Sequence, residues 1–547
     1  MKSVPLKSIS IQGDLLNRAL KNFDRLEESR YQIPQVFRES SYSWPGDFEG
    51  RTVLALTLLS QATHRESHYL DKIISLFPKQ MNKQGYFGKV RASNFVDEQQ
   101  FAGQHWVVRG LIEYYLWKRD AQAYATLQNL VKNLYLPTRR FIAEYPLGPS
   151  VRKTEGMEAG NLIPGTVDNW QLSSDVGCAF LALDGLTHAY KIFLSNDLRQ
   201  LTETMIQRFL EMDIAQIQAQ THAVLTALRG LLRHYEQTRD SLLLERTREI
   251  YHLYRTEAMT ENYANYAWFG RPEWTEPCGM IDAFIVAVSL WRFTGEPGYL
   301  EDAHLIYFNA ISHGQRANGG FGCDTCAGST NPFIAFNNYE AHWCCTMRGG
   351  EFFARAVESL YFVDDDVIYL PFYFDNQATL QLRDDIVRIQ QTTGYPYEGS
   401  VRLEILESTA CSPIRLRLFL PTWLTAASLA FNGKAMPYSL QNNFVECVCE
   451  LKKGDRLELH ADVTCQTQSV LNRNSIRNYH TFRHGPLILG CETDEEIHFE
   501  RSFDLSPLQP GVYQMKGTDI VLSPMNDVRH ISESKWRAYK RQILFSF

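Results

Sequence analysis

The amino-terminal two thirds of the chain repeat one pattern, in which an apolar helix is followed, after a short polar turn, by a more charged helix. Apolar residues recur at helical spacing on both sides of each turn. The clearest examples are VLALTLLSQATHRESHYLDKIISLF, VVRGLIEYYLWKRDAQAYATLQNLVKNLY and VLTALRGLLRHYEQTRDSLLLERTREIYHLY, with the turns THRES, KRDAQ and TRDS. Each segment predicts an αα-hairpin, so we expect a domain built from repeated helical pairs.

Polar residues interrupt the apolar starts of these helices six times, and successive interruptions are separated by about one hairpin and a loop. A single interruption is better explained by a helix cap or by a hydrogen-bonded core histidine than by a functional site. Six in register favour an (α/α)6 barrel in which functional groups converge at one mouth. They are Asp47 and Glu49, Gln104 and His105, Asp175, Thr221 and His222, Glu276 and Cys278, and Cys344 and Cys345.

The pattern changes near residue 366 to short runs of alternating polar and apolar residues, which predict β-strands. Hairpin-length turns such as FNGKAM and KKGD separate several of them. We therefore expect a mainly α protein with a β-rich end: an (α/α)6 barrel over 1–366 and β-sandwich material over 367–547. The runs are VIYLPFYF, ATLQLRD, IVRIQQTT, VRLEILE, IRLRLFLP, NFVECVCEL, DRLELHADV and PLILGCE.

Charge and hydropathy restrict the class of partner. The formal net charge is −7 and no run is rich in Lys or Arg, which argues against nucleic acid or an anionic membrane as partner. No secretory signal pattern is evident at the amino terminus, and no stretch reaches 18 apolar residues. We expect a cytoplasmic protein with a neutral small substrate and mostly reduced cysteines. The sequence leaves a homodimer open.

Four of the interrupting residues form a set of metal ligands. Glu276 and Cys278 begin the fifth inner helix and Cys344 and Cys345 the sixth, so neighbouring helices would bring one carboxylate and three thiolates together. That set suits tetrahedral Zn²⁺. The alternative is a group of small buried cysteines without metal. Three thiolates and a carboxylate around Zn²⁺ leave excess negative charge, which favours a nucleophilic thiolate, although a closed structural zinc site stays open on metal chemistry alone.

These motifs, in this order and spacing, resemble the β-L-arabinofuranosidase family of glycoside hydrolases, family 127 and its relatives. The resemblance covers roughly residues 40 to 370, and the β-rich region that follows is similar in kind. It implies an (α/α)6 barrel with β-sandwich domains and zinc held by Glu276, Cys278, Cys344 and Cys345. It also implies that Cys344 attacks the anomeric carbon.

Further site residues follow from the same resemblance. His105 and His222 match positions that contact the sugar, and we expect Asp175 and Trp343 to contribute to substrate binding. The general acid/base of the family is a glutamate about sixteen residues before the Glu-x-Cys motif. The nearest match is Glu261, with Glu257 and Glu273 as rivals.

The chain departs from the family pattern at two places. The family commonly continues Cys-Cys-Pro-Pro-Asn, whereas this chain reads Cys-Cys-Thr-Met-Arg. Trp106 follows His105 where a lysine is common, which puts the identity of the sugar in doubt more than the type of reaction.

The implied chemistry is hydrolysis with retention at the anomeric carbon. A thiolate attacks while an acid protonates the leaving oxygen, and the two groups must stand about 5 to 5.5 Å apart, as in carboxylate-based retaining enzymes. Glu261 would need a raised pKa for this role near neutral pH. Aromatic side chains could stack on a sugar, although core packing is the alternative for each. The candidates are Trp44, Trp106, Trp170, Tyr263, Tyr266, Trp268 and Trp343.

The remaining cysteines are expected to be outside the chemistry. Cys323 and Cys326 form a Cys-x-x-C motif in a Gly-rich loop, which lacks the βαβ setting of a thioredoxin-like site; a second zinc site would need His313 or His342. We prefer loop cysteines near the mouth of the barrel. Five more cysteines fall in predicted strands and are expected to be buried: Cys411, Cys447, Cys449, Cys465 and Cys491.

The sequence therefore predicts a retaining glycoside hydrolase that releases a terminal, L-arabinofuranose-like sugar from a small oligosaccharide or glycoside. Two alternatives stay open. One is another sugar enzyme on the same barrel, an epimerase or lyase that uses histidine and tyrosine; the other is a non-catalytic carbohydrate-binding protein with a structural zinc.

Overall fold

The computed structural model describes residues 1–38, 44–92, 94–152, 159–328, 331–470, 478–498, 505–526 and 531–546. Twelve helices in this part of the chain build a barrel. They are α1 Gly13–Leu26, α2 Asp47–Thr63, α3 Leu70–Gln80, α4 Glu98–Lys118, α5 Ala121–Leu130, α6 Ala182–Phe193, α7 Asn196–Leu210, α8 Thr221–Thr238, α9 Ser241–Glu257, α10 Pro277–Thr294, α11 Pro297–Leu305 and α12 Cys345–Glu358.

The even-numbered helices form the inner ring. Each packs against the next one along the chain, and α12 closes the ring by packing against α2. The inner helices α2 and α4 are buried on nearly every side, which explains why their sequences are apolar all round. The odd-numbered helices lie outside them; the helix that precedes α2, α1, covers α12 and α2. The predicted (α/α)6 barrel is confirmed.

Small residues set the close approach of the inner helices. A Cβ on Gly50 of α2 would lie 2.2 Å from the backbone nitrogen of Val107 on α4. In the Arg-Gly-Gly that follows the paired cysteines, a Cβ on Gly349 would meet the Phe321 ring at 2.2 Å, and one on Gly350 would meet Ala55 at 2.8 Å. These glycines let α12 sit directly against α2 and against the loop that leads to the site.

The β-rich part consists mainly of three sheets. The strands of the described residues, in chain order, are β1 Lys2–Ser3, β2 Ile9–Ile11, β3 Val96–Asp97, β4 Trp170–Gln171, β5 Tyr266–Trp268, β6 Arg271–Thr275, β7 Phe333–Ala335, β8 Phe362–Asp364, β9 Val367–Leu370, β10 Asn376–Gln381, β11 Ile386–Thr393, β12 Gly399–Ser408, β13 Ile414–Phe419, β14 Leu424–Phe431, β15 Lys434–Ala435, β16 Ser439–Gln441, β17 Phe444–Cys449, β18 Arg456–Val463, β19 Cys465–Ser469, β20 Tyr479–His484, β21 Leu487–Glu492, β22 Leu505–Gln509, β23 Val512–Met515, β24 Val521–Pro524, β25 Lys540–Gln542 and β26 Phe545–Ser546.

Two of the sheets pack together and share one apolar core with the barrel. Their strand orders are β1-β8-β9-β13-β17-β16 and β15-β14-β18-β12-β11-β10-β2. The third sheet contains β19 to β26, and its strand β25 pairs with β7 in the loop before α12, so that Gln542 lies opposite Phe333. The third sheet therefore helps to hold the loop that carries the paired cysteines.

The strand pattern after residue 366 is confirmed, but pairing crosses the predicted boundary. The amino-terminal strands β1 and β2 complete the two packed sheets by pairing with β8 and β10. Strands of two or three residues are too short to show an alternating pattern, so they could not be predicted from the sequence. The division at residue 366 itself stays a prediction.

One expectation about helix starts needs correction. Helix α4 begins at Glu98, because the Asp97 side chain caps it by accepting from the Gln100 backbone N–H. Gln104 and His105 therefore lie two turns inside the helix rather than at its start. Asp175 also precedes a short 3-10 turn, Cys178–Leu181, and α6 begins only after that turn.

Helix α10 is long and apolar enough to cross a membrane by composition, with a mean hydropathy of 1.2 over Pro277–Thr294. It is an inner helix of the barrel, and 72% of that window is buried inside the protein. Its hydropathy is accounted for by its place in the core.

Candidate active site

A cavity of about 300 Å³ opens at the mouth where the inner helices begin. That volume lies at the lower end of the range for small-molecule sites. Its described lining combines carboxyl groups, thiols, indole rings and one imidazole. These include Asp47, Asp175, Glu276, His222, Cys344, Cys345, Trp44, Trp268 and Trp343.

Four side chains converge at the floor of this cavity. The carboxylate of Glu276 and the Sγ atoms of Cys278, Cys344 and Cys345 all lie within 4.8 Å of one another. The Sγ of Cys345 is 3.3 Å from that of Cys344 and 3.6 Å from that of Cys278. The structure thus brings together the four residues that the sequence predicts as metal ligands.

The local fold explains this convergence. Glu276 is the N-cap of α10, Pro277 occupies the first helical position, and Cys278 follows it in the first turn. Cys344 is the N-cap of α12 and Cys345 is its first residue. The positive ends of two helix dipoles therefore meet at the cluster, which favours thiolates and a carboxylate there.

The ionisable groups of the cluster favour binding of a cation. Burial raises the pKa of Glu276 well above its usual value, and the neighbouring Cys278 raises it further. Burial also raises the pKa of Cys345. Burial opposes ionisation of Cys278 too, but hydrogen bonds with Cys344 and Cys345 lower its pKa. A divalent cation would ionise all four groups, and three sulfurs with one oxygen form a tetrahedral donor set for Zn²⁺.

The three thiols differ in their access to the cavity. Cys278 and Cys345 are fully buried, whereas Cys344 is partly exposed. Cys344 and Cys345 line the cavity, while Cys278 lies behind it and accepts a hydrogen bond from Arg51 Nη1 at 3.5 Å. Among the cluster's sulfurs, Cys344 is therefore the one most open to a ligand.

His222 is fixed beside the cluster by an ion-pair network in the barrel core. Its Nδ1 lies 2.7 Å from Asp282 Oδ2, and Asp282 Oδ1 accepts from Arg229 Nη1 at 2.5 Å. Burial would raise the pKa of Asp282, but Arg348 and Arg229 hold it below its usual value. Within the described residues, His222 Nε2 has no hydrogen-bond partner, which leaves it for a ligand in the cavity.

His105 is more deeply placed than its predicted role requires. It is fully buried, its Nδ1 is bonded to the Ala102 carbonyl, and it is absent from the described lining of the cavity. Burial lowers its pKa well below the usual value, so the ring is neutral. Its Nε2 has no partner among the described residues, but direct contact with a sugar is not supported by this position.

Asp175 does line the cavity. One carboxylate oxygen, Oδ1, accepts from the Gly160 backbone N–H at 3.0 Å. Burial raises the pKa of Asp175 to about 6, although that hydrogen bond opposes the rise. The carboxyl group is thus able to exchange a proton near neutral pH.

The predicted aromatic contacts separate into three groups. Trp44, Trp268 and Trp343 line the cavity, and Trp343 is the most exposed of them at 40%. Trp106 and Trp170 are buried in the core, and the guanidinium groups of Arg51 and Arg348 each lie over the Trp106 ring. Tyr263 and Tyr266 line a different cavity.

That second cavity also holds Glu261, the predicted acid/base. Its lining includes His252, Arg255 and Asp302, and none of the four metal-cluster residues is part of it. The rival glutamates do not line the cysteine cavity either: Glu257 ends α9, and Glu273 is exposed on β6 and paired with Arg271. The structure places Glu261 and Cys344 in the walls of different cavities; between Glu261 and Glu276 the chain forms the β5–β6 hairpin.

Sequence reasoning missed several lining residues. Arg51 donates from Nε to Asp47 Oδ1 at 2.7 Å as well as to Cys278, and the i, i+4 spacing of Asp47 and Arg51 on α2 was the available signal. Gln220, the N-cap of α8, donates to Glu276 Oε2 at 3.5 Å. Trp274, Asn337 and Asn338 also line the cavity, and no motif marked them.

The Cys-x-x-C pair is divided between the cavity and the core. Cys323 lines the cavity and, after burial and Cys278, contributes to the raised pKa of Cys345. Cys326 is buried and burial raises its pKa. His313 is engaged at both ring nitrogens, by Asp324 and by the Tyr539 hydroxyl, so it is not available to a second zinc site.

The strand cysteines are not all buried as expected. Cys447, Cys449 and Cys491 are buried, but Cys411 and Cys465 are exposed. Cys411 lies in the turn between β12 and β13, and Cys465 begins β19, which is an edge strand.

Comparison with known proteins agrees with this architecture. Residues 367–463 match the family model described as the middle domain of β-L-arabinofuranosidase, GH127. The match covers most of the two packed sheets, and the resemblance seen in the barrel motifs is confirmed. No curated protein sequence matches the chain significantly.

Solved GH127 structures resemble the chain over its whole length. A GH127 β-arabinofuranosidase, BT3674, is 14% identical with a TM-score of 0.74, covering 100% of this chain and 98% of its own. Ara127N-Se, a GH127 β-L-arabinofuranosidase from Geobacillus stearothermophilus T6, is 12% identical with a TM-score of 0.72, covering 98% and 99%. At these identities the likeness establishes a shared fold.

Proposed function

We propose that this protein is a retaining glycoside hydrolase that releases a terminal, L-arabinofuranose-like sugar and uses Cys344 as its nucleophile. The observation that carries the proposal is the cluster of Glu276, Cys278, Cys344 and Cys345 within 4.8 Å, with Cys344 alone of its sulfurs both partly exposed and on the cavity wall. The GH127 neighbours supply the choice of sugar, since two of them are named as arabinofuranosidases.

Zn²⁺ is the metal we propose for the cluster. With zinc bound, the thiols are held as thiolates at neutral pH, which supplies an anionic sulfur at the cavity wall. We expect about one zinc per chain by elemental analysis. Cys278→Ser should lower that content, whereas Cys323→Ser, which changes a neighbouring thiol outside the donor set, should leave it unchanged. A folded wild-type protein that contains no more than trace amounts of metal would rule out the site.

The side chains of the chain divide the reaction between them. The Cys344 thiolate attacks the anomeric carbon as the bond to the leaving oxygen breaks, and an acid protonates that oxygen. Water then displaces the sulfur and releases the sugar with its original configuration. His222 Nε2 is placed to hydrogen-bond a sugar hydroxyl, and Trp44, Trp268 and Trp343 offer faces for stacking.

The lining argues against an epimerase or lyase that relies on histidine and tyrosine. In the described part of the cavity wall His222 is the single histidine and there is no tyrosine. A proton-shuttling mechanism of that kind needs two such groups on opposite sides of the substrate. The thiol cluster would have no role in it.

A panel of para-nitrophenyl glycosides that includes both ring forms of L-arabinose tests the function. We expect release of nitrophenol from the β-L-arabinofuranoside, with the β-anomer as the first product by NMR. Sugar binding without release would favour a carbohydrate-binding protein. Activity that survives zinc removal and thiol alkylation would favour another sugar enzyme on this barrel.

A further inference from the structure

The proposed reaction requires a proton donor, and the carboxyl groups on the cavity wall limit the choice. In the described lining these groups are Asp47, Asp175 and Glu276. Glu276 belongs to the metal cluster. Burial raises the pKa of Asp47, but its carboxylate is held by the Arg51 guanidinium in a 2.7 Å ion pair that opposes the rise. Asp175 remains as the carboxyl group of this lining that has no metal-ligand role and, within the described residues, no cationic hydrogen-bond partner.

The surroundings of Asp175 hold one oxygen and leave the other open. The Gly160 N–H fixes Oδ1 at 3.0 Å, while Oδ2 accepts from no described residue. The backbone on both sides of Asp175 is anchored to Glu98, whose carboxylate accepts from the Ser173 N–H at 2.7 Å and the Ala179 N–H at 3.3 Å. A carboxyl group held in this way keeps one oxygen for proton transfer in a defined position.

We propose that Asp175 is the general acid/base of this chain, in the role that sequence spacing suggests for Glu261. The inference rests on the proposed function, because it assigns a residue to that reaction. Asp175 shares a cavity of about 300 Å³ with Cys344, whereas Glu261 lines another cavity.

The proton balance follows the two steps. In the first, the Cys344 Sγ–C1 bond forms, the C1–O bond to the leaving group breaks, and the Asp175 carboxyl proton passes to the leaving oxygen. In the second, water oxygen bonds to C1, the C1–Sγ bond breaks, and Asp175 takes up a proton from that water. The carboxyl group ends the cycle protonated, as it began.

Charged groups from several elements set the proton affinity of Asp175. Burial raises its pKa to about 6, the Gly160 N–H and His222 oppose that rise, and Glu98 and Asp47 add to it. Glu276 also faces the same cavity. An acid with a pKa near 6 is substantially protonated at pH 6 and still acts as a base in the second step.

Leaving-group dependence tests the assignment, with Glu261→Gln as the matched control. Asp175→Asn should slow hydrolysis of an alkyl β-L-arabinofuranoside by about 10²-fold or more, because its leaving group needs a proton. The 2,4-dinitrophenyl glycoside should still release one equivalent of dinitrophenol per active site in a rapid burst. Azide should then restore turnover by replacing the base-assisted water, giving the β-glycosyl azide. Glu261→Gln should behave as wild type on both substrates.

Three other outcomes separate the two proposals. If wild type hydrolyses the glycosides but Asp175→Asn is slowed equally on both substrates and is not rescued by azide, Asp175 is not the acid/base and the proposed function stands. A selective, azide-rescued loss in Glu261→Gln would likewise overturn the assignment. If wild type releases no sugar, both proposals fail. Unchanged zinc content and melting temperature of Asp175→Asn would show that the loss is chemical.

Discussion

The two ends of the barrel carry cavities of similar size and opposite chemistry. The cavity where the inner helices begin has a volume of about 300 Å³ and is walled by thiols and carboxyl groups. The cavity where they end has a volume of about 260 Å³, and its wall contains five cationic side chains beside the carboxylates of Glu113 and Glu236: Lys191, Arg229, Arg233, Arg292 and Arg355. Helix dipoles favour this arrangement, because helix N-termini stabilise anions and C-termini stabilise cations.

The difference between the ends lies in how the charges are matched. At the C-terminal end, Arg292 and Lys191 both pair with Glu236, and Arg233 pairs with Asp184 at 3.0 Å. At the N-terminal end, Asp175 has no cationic hydrogen-bond partner within the described residues, and of the three thiols in the cluster only Cys278 accepts from a guanidinium of that part of the chain, the one of Arg51. Charged side chains that pair with one another around a cavity contribute to stability. Polar groups without such partners around a cavity indicate a ligand or metal site.

Cys344→Ser should give the largest effect on activity. It removes the attacking sulfur and a metal ligand together, and a serine hydroxyl is a far weaker nucleophile, so turnover should fall by at least about a thousandfold. Cys326→Ser is the matched control, because Cys326 is buried close to the same loop but lies outside both the cluster and the cavity lining. A Cys344→Ser variant that keeps most of its kcat/KM would remove the functional distinction between the ends.

Asp184→Asn should affect stability instead of chemistry. Asp184 is fully buried and pairs with Arg109 at 2.8 Å, Arg233 at 3.0 Å and Arg229 at 3.2 Å. Removing its charge leaves buried guanidinium groups without their partner, which costs about 3–5 kcal/mol in the free energy of unfolding. Denaturant titration should show this loss, while kcat/KM per folded molecule stays within a few-fold of wild type.

The contribution of Asp184 to the free energy of unfolding should also depend on pH. Burial would raise its pKa, but Arg109 and Arg229 hold it well below the usual value. A depressed folded-state pKa means that the stabilisation is complete above about pH 4, the ordinary Asp pKa, and is lost as the pH falls further. The stability difference between wild type and Asp184→Asn should therefore shrink in acid. A difference that is constant from pH 7 to pH 3 would contradict this account of the network.

Trp343→Ala should give the smallest change. Trp343 lines the N-terminal cavity but is 40% exposed, so it contributes a stacking face at the rim and little to the core. Loss of one partly solvated aromatic contact is worth about 1 kcal/mol, and KM should rise several-fold at nearly constant kcat. An unchanged KM would indicate that the sugar lies deeper in the cavity.

Much of the fold was readable from the sequence because its signals are local. Hairpin periodicity and polar interruptions predicted the inner ring, and the run IVRIQQTT coincides with β11 over Ile386–Thr393. The approach of Glu276 and Cys278 to Cys344 and Cys345 followed from their places at the starts of adjacent inner helices. Such positions are fixed by the closure of the ring and do not depend on loop conformation.

The acid/base and the edge strands were not readable in the same way. Fifteen residues separate Glu261 from Glu276 in the chain, but a turn and the β5–β6 hairpin between them decide which cavity the carboxylate reaches. Asp175 was recognised as a lining residue, yet its proton affinity depends on burial and on Gly160, which spacing does not reveal. The short strands β1 and β2 depend on partners more than 350 residues away.

Covalent labelling tests the central claim, attack by the Cys344 thiolate, most directly. The zinc-loaded protein would be incubated with an epoxide or haloacetamide analogue of the sugar and examined by intact mass and peptide mapping. The account predicts one label per chain, on Cys344, with inactivation proportional to labelling and with protection by the free sugar. A label on Cys345 or on a carboxylate, or full activity in protein labelled at Cys344, would contradict it.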